Sequence, residues 1–243
     1  MIWTIANREL KNLFLSPLAW IVLGIAQVIF GMIFSSVMSD YGTNKGEQLS
    51  GITAYILQPM FGLAPFVLVI VVPLLTMRLI AEERRNHTLV LLVSAPISMA
   101  EIVLGKFFGV LLYLLILSAL LIVMALSLLF GGTLDFGLLF SSVLGLVLLL
   151  CSFTAIGVFM STLTKSPTLA AIGSFGILFL LWMFALSANI YGDNVLSYLS
   201  IIEHYVPFIQ GLFNTRDLIY FLVITAVFLV FSIRRLNMDR LGA

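Results

Sequence analysis

The sequence predicts an all-α integral membrane protein with six transmembrane helices. Of its 243 residues, 62% are apolar and 9% are charged, whereas a soluble domain is nearer half apolar and a quarter charged. So few charged side chains cannot cover the surface of a water-soluble fold of this size. The apolar runs are continuous and do not alternate with polar residues, which favours helices over the strands of a membrane barrel.

Six windows without charged residues define the spans. They are 12–39, 48–77, 107–134, 136–164, 166–192 and 218–233. Because a helix rises about 1.5 Å per residue, roughly 20 residues cross about 30 Å of hydrocarbon. The first five windows reach that length, and the sixth can span if Asp217 and Arg234 lie at the interfaces. Within a single transmembrane domain, 1–243, we place spans near 18–38, 59–80, 107–130, 136–160, 168–188 and 217–234.

The positions of lysine and arginine predict the orientation. Cytoplasmic loops of membrane proteins carry an excess of these residues. With six spans both termini lie on one side, and that side holds ten of the twelve basic residues. Only Lys45 and Arg216 fall on the other side, so we predict cytoplasmic termini.

An interfacial helix is predicted before the first span, within residues 1–16. One stripe of this segment is apolar, and polar residues face elsewhere, as in helices that lie on a membrane surface. The stripe comprises Ile2, Ile5, Leu10, Leu13 and Phe14, and the polar residues are Asn7, Arg8, Lys11 and Asn12. Ser16-Pro17 is expected to end the helix.

Span two is predicted to be kinked or broken, because Pro59, Pro65 and Pro73 lie in it or beside it. Its helix is expected to project past the membrane through Arg78–Arg85. After it, Thr88–Val93 can form a short apolar helix on the surface, which Ser94-Ala95-Pro96 ends. An apolar strip edged with mixed charge suits docking to a partner protein. Packing on lipid headgroups is the alternative, but an anionic leaflet would repel Glu82 and Glu83.

The external connection between spans five and six is too apolar for a plain linker. Short amphipathic or re-entrant helices, broken at Pro207 and Gly211, explain its composition. Two interfacial helices that only anchor the chain explain it equally well.

The sequence also excludes several functions. Twelve basic residues against eleven acidic ones do not fit a nucleic-acid-binding face. No Gly-x-x-x-x-Gly-Lys-Ser/Thr occurs, so the chain is not predicted to hydrolyse ATP itself. His87 and His204 fall on opposite sides of the membrane, and Cys151 is the only cysteine. We therefore predict no catalytic residue and no metal site.

Three stretches around the loop between spans two and three carry a family resemblance. They are Ala-Glu-Glu-Arg-Arg (81–85), Leu-Leu-Val-Ser-Ala-Pro-Ile-Ser (91–98) and Glu-Ile-Val-Leu-Gly-Lys-Phe (101–107). The opening Arg-Glu-Leu-Lys-Asn-Leu-Phe-Leu-Ser-Pro-Leu-Ala-Trp (8–20) and the late stretch 204–220 add to it. Together they resemble the type-2 ABC transporter permeases, and most closely the gliding-motility-type permease subunits.

The resemblance implies roles for particular residues. The loop would be the coupling helix that seats in a groove of the ATPase subunit, and the first helix would be the connecting helix beside that ATPase. Segment 196–211 would correspond to the re-entrant gate helices. The implied coupling residues are Glu82, Glu83, Arg84, Arg85, Leu89, Leu91 and Leu92; the connecting-helix residues are Arg8, Glu9 and Lys11; and the external gate residues are Glu203, His204, Pro207, Phe208 and Gly211. The sequence departs from the family at Asn86-His87, where a small Ser-Gly turn is expected.

The implied function is that of an exporter-type permease subunit in a bacterial cytoplasmic (inner) membrane. Separate ABC ATPase subunits would bind the ATP and Mg, while this chain would bind no cofactor. A second permease chain, as a homodimer or a heterodimer, and membrane lipid are the other expected partners, and a subunit with an external domain is compatible with them. The cargo would be amphipathic or envelope-related. Two alternatives stay open, a mechanical envelope subunit that transports nothing and an autonomous carrier, although the six windows lack the ionisable residues that carriers usually use.

Overall fold

The protein is a bundle of helices. Its computed structural model describes residues 1–43, 51–88, 97–130, 134–191 and 198–241, and these contain helices and turns but no strand. The helices, numbered in chain order, are α1 (Ile2–Leu15), α2 (Pro17–Thr43), α3 (Ile52–Thr76), α4 (Ala81–Arg85), α5 (Met99–Leu126), α6 (Phe136–Leu163), α7 (Pro167–Tyr191), α8 (Ile201–Ile209) and α9 (Thr215–Leu241).

Six of the helices, α2, α3, α5, α6, α7 and α9, are long and apolar enough to cross a membrane. The predicted all-α architecture with six spans is thereby confirmed. Helix α6 lies at the centre and contacts α3, α5, α7, α8 and α9. Helices α3 and α6 are the most buried of the six, whereas few residues of α2, α7 and α9 are fully buried, as expected of helices that face lipid or another subunit.

Two predictions about span two are corrected. The predicted break is wrong, because Pro59, Pro65 and Pro73 all lie inside α3, which continues through them; a kink at these prolines stays a prediction. A proline removes its own N–H from the helix ladder and crowds the carbonyl four residues before it, but membrane helices tolerate this because neighbouring groups re-satisfy the freed backbone atoms. The helix also does not continue to Arg85, because α3 ends at Thr76 and a turn at 77–80 separates it from α4.

A single serine of α6 explains this turn. The Ser161 hydroxyl accepts hydrogen bonds from the backbone N–H groups of Ile80 and Ala81, at 3.0 and 3.1 Å, and donates one to the carbonyl of Met77 at 3.2 Å. The buried N–H groups at the start of α4, which have no partner within their own helix, thus obtain one from α6. The turn is fixed to the central helix of the bundle.

Helix α1 packs along α5 at two glycines spaced four residues apart. A Cβ atom at Gly105 would lie 2.6 Å from the Ile5 Cβ, and one at Gly109 would lie 2.7 Å from the Glu9 Cβ. Only glycine therefore permits the two backbones to come this close. The residues assigned to the apolar stripe of α1 lie on the packed face, and Arg8 and Lys11 are exposed. The position of α1 at a membrane interface stays a prediction.

Helix α8 corrects the interpretation of Pro207. This proline lies inside α8 and does not break it. The helix ends two residues later, at Ile209, and the chain turns away at Gly211, whose φ of +82° is in the left-handed region. The Leu212 N–H bonds to the Pro207 carbonyl at 2.9 Å and the Gly211 N–H to the Phe208 carbonyl at 3.2 Å, which is a Schellman ending.

Candidate functional site

A buried lysine joins three helices at the end of the bundle where α1, α4 and the start of α5 meet. Lys106 is only 2% exposed, and its Nζ lies 2.7 Å from Glu9 Oε1 and 2.8 Å from Glu83 Oε1. We call these three residues the inner cluster. A buried charge is tolerated when it is paired and hydrogen-bonded, and Lys106 meets that condition through one carboxylate from α1 and one from α4.

The local sequence brings the three side chains together. Lys106 lies between the two glycines on α5 that receive α1, so the close approach of the helices also brings Glu9 within reach of it. A capping box starts α5: the Ser98 hydroxyl accepts from the Glu101 N–H at 3.2 Å, and the Glu101 carboxylate accepts from the Ser98 N–H at 3.0 Å. The turn held by Ser161 then positions Glu83.

A cleft of about 260 Å³ opens beside the inner cluster. Its lining combines charged side chains with a leucine-rich wall from α1, α2, α3 and the turn that follows α3. Arg8, Arg78 and Glu82 line it in addition to the three cluster residues. No ion pair joins Arg8, Arg78 or Glu82 to another residue in the described part of the chain.

The four charged residues predicted to contact the ATPase have different surroundings. Glu83 pairs with Lys106, and Arg84 forms an ion pair with Asp239 on α9. Glu82 is half-buried, and Arg85 is exposed. Two of the four charges are therefore already engaged within the chain. The coupling role of each stays a prediction, and Leu89, Leu91 and Leu92 lie outside the described residues.

The inner cluster contains one residue, Lys106, that sequence reasoning did not single out. The available indication was its position between Gly105 and Gly109, a spacing that favours helix–helix contact. Asp239, the partner of Arg84, had no indication in the sequence. It lies on α9, and the ion pair joins residues 155 positions apart.

A second polar cluster lies around α8 and the start of α9. His204 Nδ1 is 2.6 Å from Asp217 Oδ1, and His204 Nε2 is 3.1 Å from the Tyr198 carbonyl oxygen. The Tyr220 ring stacks on the imidazole with centroids 3.9 Å apart. We call His204, Asp217, Tyr198 and Tyr220 the outer cluster.

His204 is the residue through which the outer cluster joins two elements. Its two ring nitrogens lie within hydrogen-bonding distance of one oxygen of Asp217 and of the Tyr198 carbonyl oxygen. The His204–Asp217 contact is buried, since both side chains are 8% exposed. It fastens α8 to the beginning of the last span.

Buried side chains also fasten α8 to the rest of the bundle. The Tyr205 hydroxyl donates to the Phe61 carbonyl of α3 at 3.1 Å, and burial raises the pKa of this hydroxyl. Phe208 packs over Gly145 of α6, where an added Cβ would lie 2.6 Å from the Phe208 Cβ. Of the predicted gate residues, His204 and Phe208 are thus buried contacts, Pro207 is half-buried, and Glu203 and Gly211 are exposed. Their role in a gate stays a prediction.

The comparisons with known proteins give a family over nearly the whole chain. A family model described as ABC-2 family transporter protein matches residues 3–241. No curated protein matches the chain.

Proposed function

This chain belongs to the ABC-2 family of transporter proteins, and from that premise we propose that it is an exporter-type permease that dimerises and is driven by separate ATPase subunits. Membership makes it a multi-pass membrane permease subunit of an ABC transporter, without a nucleotide-binding domain of its own, and implies association with ABC ATPase subunits and dimerisation in general. We also propose that the chain lies in a bacterial inner membrane with both termini in the cytoplasm.

The observation that supports coupling most directly is the inner cluster. Lys106 connects α1, α4 and α5 through two ion pairs of 2.7 and 2.8 Å. A force applied by an ATPase to α4, or to the segment after it, would therefore reach α5 and α1 together. Helices that are joined by ion pairs move together and so transmit a displacement of α4 to the rest of the permease. A loosely attached loop would move alone and would not transmit it.

In the proposed mechanism, closure of the ATPases on ATP pushes the segment around α4 and rocks the two permeases against each other. ATP binding drives this change only if the two permease conformations differ in their affinity for the closed ATPases. The outer cluster would then hold α8 against α9 in one of the two conformations. Separation of α8 from α9 would then open the external end of the permease.

The cargo is proposed to be amphipathic or envelope-related. The central stretches of the spans, such as 107–130 and 136–160, carry no charged side chain. A pathway bounded by such helices suits a molecule with a large apolar part and lacks the ionisable groups that ion-coupled carriers use.

The proposal is tested by purifying the tagged chain from its native host and by assaying ATP-dependent cargo movement into sealed inverted vesicles. A stoichiometric ATPase subunit of roughly 25–35 kDa, the size of one or two domains, together with ATP-dependent uptake, is the expected result. ATPase activity without uptake of any envelope lipid would favour the mechanical alternative. A chain that purifies alone and transports in liposomes would contradict the proposal.

A further inference from the structure

The cleft beside the inner cluster continues as an apolar groove between α2 and α3. The groove has a volume of about 250 Å³, and every residue that lines it is apolar. Leu74 lines both the cleft and the groove, which therefore adjoin. Together they form one amphipathic depression on the bundle surface, which is charged at the cleft and apolar along the groove. We call it the amphipathic site.

The length of the groove fits a hydrocarbon chain. Its α3 wall runs from Leu74 to Leu63, eleven positions that correspond to about 16 Å of helix. Its α2 wall runs over Val22, Ile25 and Ile29, at the spacing of one helix face. A groove of this length along a membrane-spanning helix can hold most of one acyl chain.

The charged residues in the cleft indicate which lipid headgroup would fit the amphipathic site. Glu9 and Glu83 are engaged by Lys106, whereas Arg8, Arg78 and Glu82 line the cleft without an ion pair to a described residue. Two guanidinium groups are suited to hold a phosphodiester, and the remaining carboxylate attracts an ammonium group. An anionic glycerol headgroup would leave Glu82 without a cationic partner.

We propose that the amphipathic site binds a membrane phospholipid with an ethanolamine headgroup. Its phosphate lies between Arg8 and Arg78, its ammonium group lies at Glu82, and one acyl chain follows the α2–α3 groove toward Leu63. The proposal does not depend on what the protein transports, because it concerns the surface of a single chain.

Lipid retention tests the proposal. The full chain is reconstituted in nanodiscs containing equal parts of phosphatidylethanolamine and phosphatidylglycerol, transferred to mild detergent and weighed by native mass spectrometry. One retained phosphatidylethanolamine per chain is expected. The variant Arg8→Gln/Arg78→Gln should retain about tenfold less phosphatidylethanolamine, because it loses charge-assisted hydrogen bonds to the phosphate. The control Lys165→Gln changes an exposed cation outside the cleft and should retain as much of this lipid as the wild type.

Equal retention of the two lipids, or unchanged retention in the double variant, would overturn the proposal. Photolabelling of the wild-type chain is a second test, and its result does not depend on whether the variants fold. Phosphatidylethanolamine with a photoreactive acyl chain should label Ile25 and Ile70 in the groove several-fold more than Ile172 on α7, although all three are exposed. Equal labelling of the three residues would assign the groove to bulk lipid and reject the site. Disulfide-linked dimers of an Ile25→Cys variant, in place of lipid labelling, would assign the groove to a second copy of the chain and also reject the site.

Discussion

Lys106 is a basic residue within an apolar helix, and both of its partners come from other elements. Replacing it with Met would leave Glu9 and Glu83 as two partly buried carboxylates that repel each other. Breaking a buried ion pair by removing one partner costs about 3–5 kcal/mol. We expect Lys106→Met to lower the thermal midpoint in detergent strongly and to reduce ATPase activity in the complex.

The matched control is Lys11→Met, which removes an exposed lysine from the face of α1 that points away from the bundle. It should leave the midpoint nearly unchanged. The triple variant Lys106→Met/Glu9→Gln/Glu83→Gln should regain part of the lost stability, because it no longer buries an unbalanced charge. Equal melting of Lys106→Met and the wild type would show that the inner cluster does not stabilise the fold.

His87 occupies a backbone conformation that favours glycine. Its φ is +58°, in the left-handed region where a side chain costs roughly 1 kcal/mol. Replacement by glycine should therefore stabilise the protein by up to about 1 kcal/mol, measured as a higher thermal midpoint. Asn86→Gly is the control, because Asn86 has a φ of −86° and glycine should there bring no gain. A lower midpoint for His87→Gly would mean that its side chain makes a contribution larger than the strain.

At the scale of elements, the contact between α1 and α5 depends on backbone proximity. A Cβ at Gly109 would lie 3.0 Å from the Ala6 carbonyl oxygen as well as 2.7 Å from the Glu9 Cβ, so Gly109→Ala must displace α1. Overpacking of this kind costs about 1–3 kcal/mol. The same shift would separate Glu9 from Lys106, so we expect both a lower melting temperature and weaker coupling to the ATPase. Gly24→Ala, with nothing within 4 Å of the added atom, should change neither.

The attachment of α8 to α9 depends on the His204–Asp217 pair. Asp217→Asn keeps the shape of the side chain but replaces the carboxylate that faces His204 Nδ1. Hydrogen exchange of the α8 amides should become several-fold faster, because weakening a buried polar contact lowers the cost of local opening. Glu203→Gln alters an exposed carboxylate of the same helix and should not change the exchange rates. Identical rates in Asp217→Asn and the wild type would show that apolar packing alone holds α8.

The elements were predictable to the extent that charge and hydrophobicity mark them. Six spans follow from six charge-free windows, but α3 begins at Ile52 and α9 continues to Leu241, because polar and charged residues at span ends still form helix. The turn after Thr76 was not predictable, since its cause is the Ser161 hydroxyl on α6. Proline is a common signal for a helix break, but Pro207 lies inside α8, and the left-handed backbone at Gly211 follows the end of the helix.

At the scale of the whole molecule, long-range pairs decide which predicted residues can face a partner. Glu83 and Arg84 are adjacent in a charged run, and both are engaged within the chain, by Lys106 and Asp239. Nothing in the local sequence separates them from Arg85, which is exposed. The family and the fold class were therefore within reach of sequence reasoning, whereas the division between inward and outward charges required the packed bundle.

This division gives a prediction for the assembled transporter. Arg85→Glu should weaken ATPase binding and lower ATPase activity several-fold while leaving the melting temperature of the permease unchanged, since Arg85 forms no ion pair with a described residue. Lys165→Glu makes the same charge change at another exposed site and should retain activity. Equal loss in both variants would point to net charge as the cause, and full activity in Arg85→Glu would remove this residue from the interface.

The hydrogen bonds of Ser161 also impose an order on biosynthesis. The ribosome makes Ile80 and Ala81 well before the serine that fixes them, which follows 81 and 80 positions later. During translation, α3 can enter the membrane while the backbone after it is still without its native partner. The turn and α4 acquire their final shape only once α6 has been inserted. An ATPase that recognises this shape would bind finished permeases and ignore nascent ones, so the same serine would time the assembly of the complex.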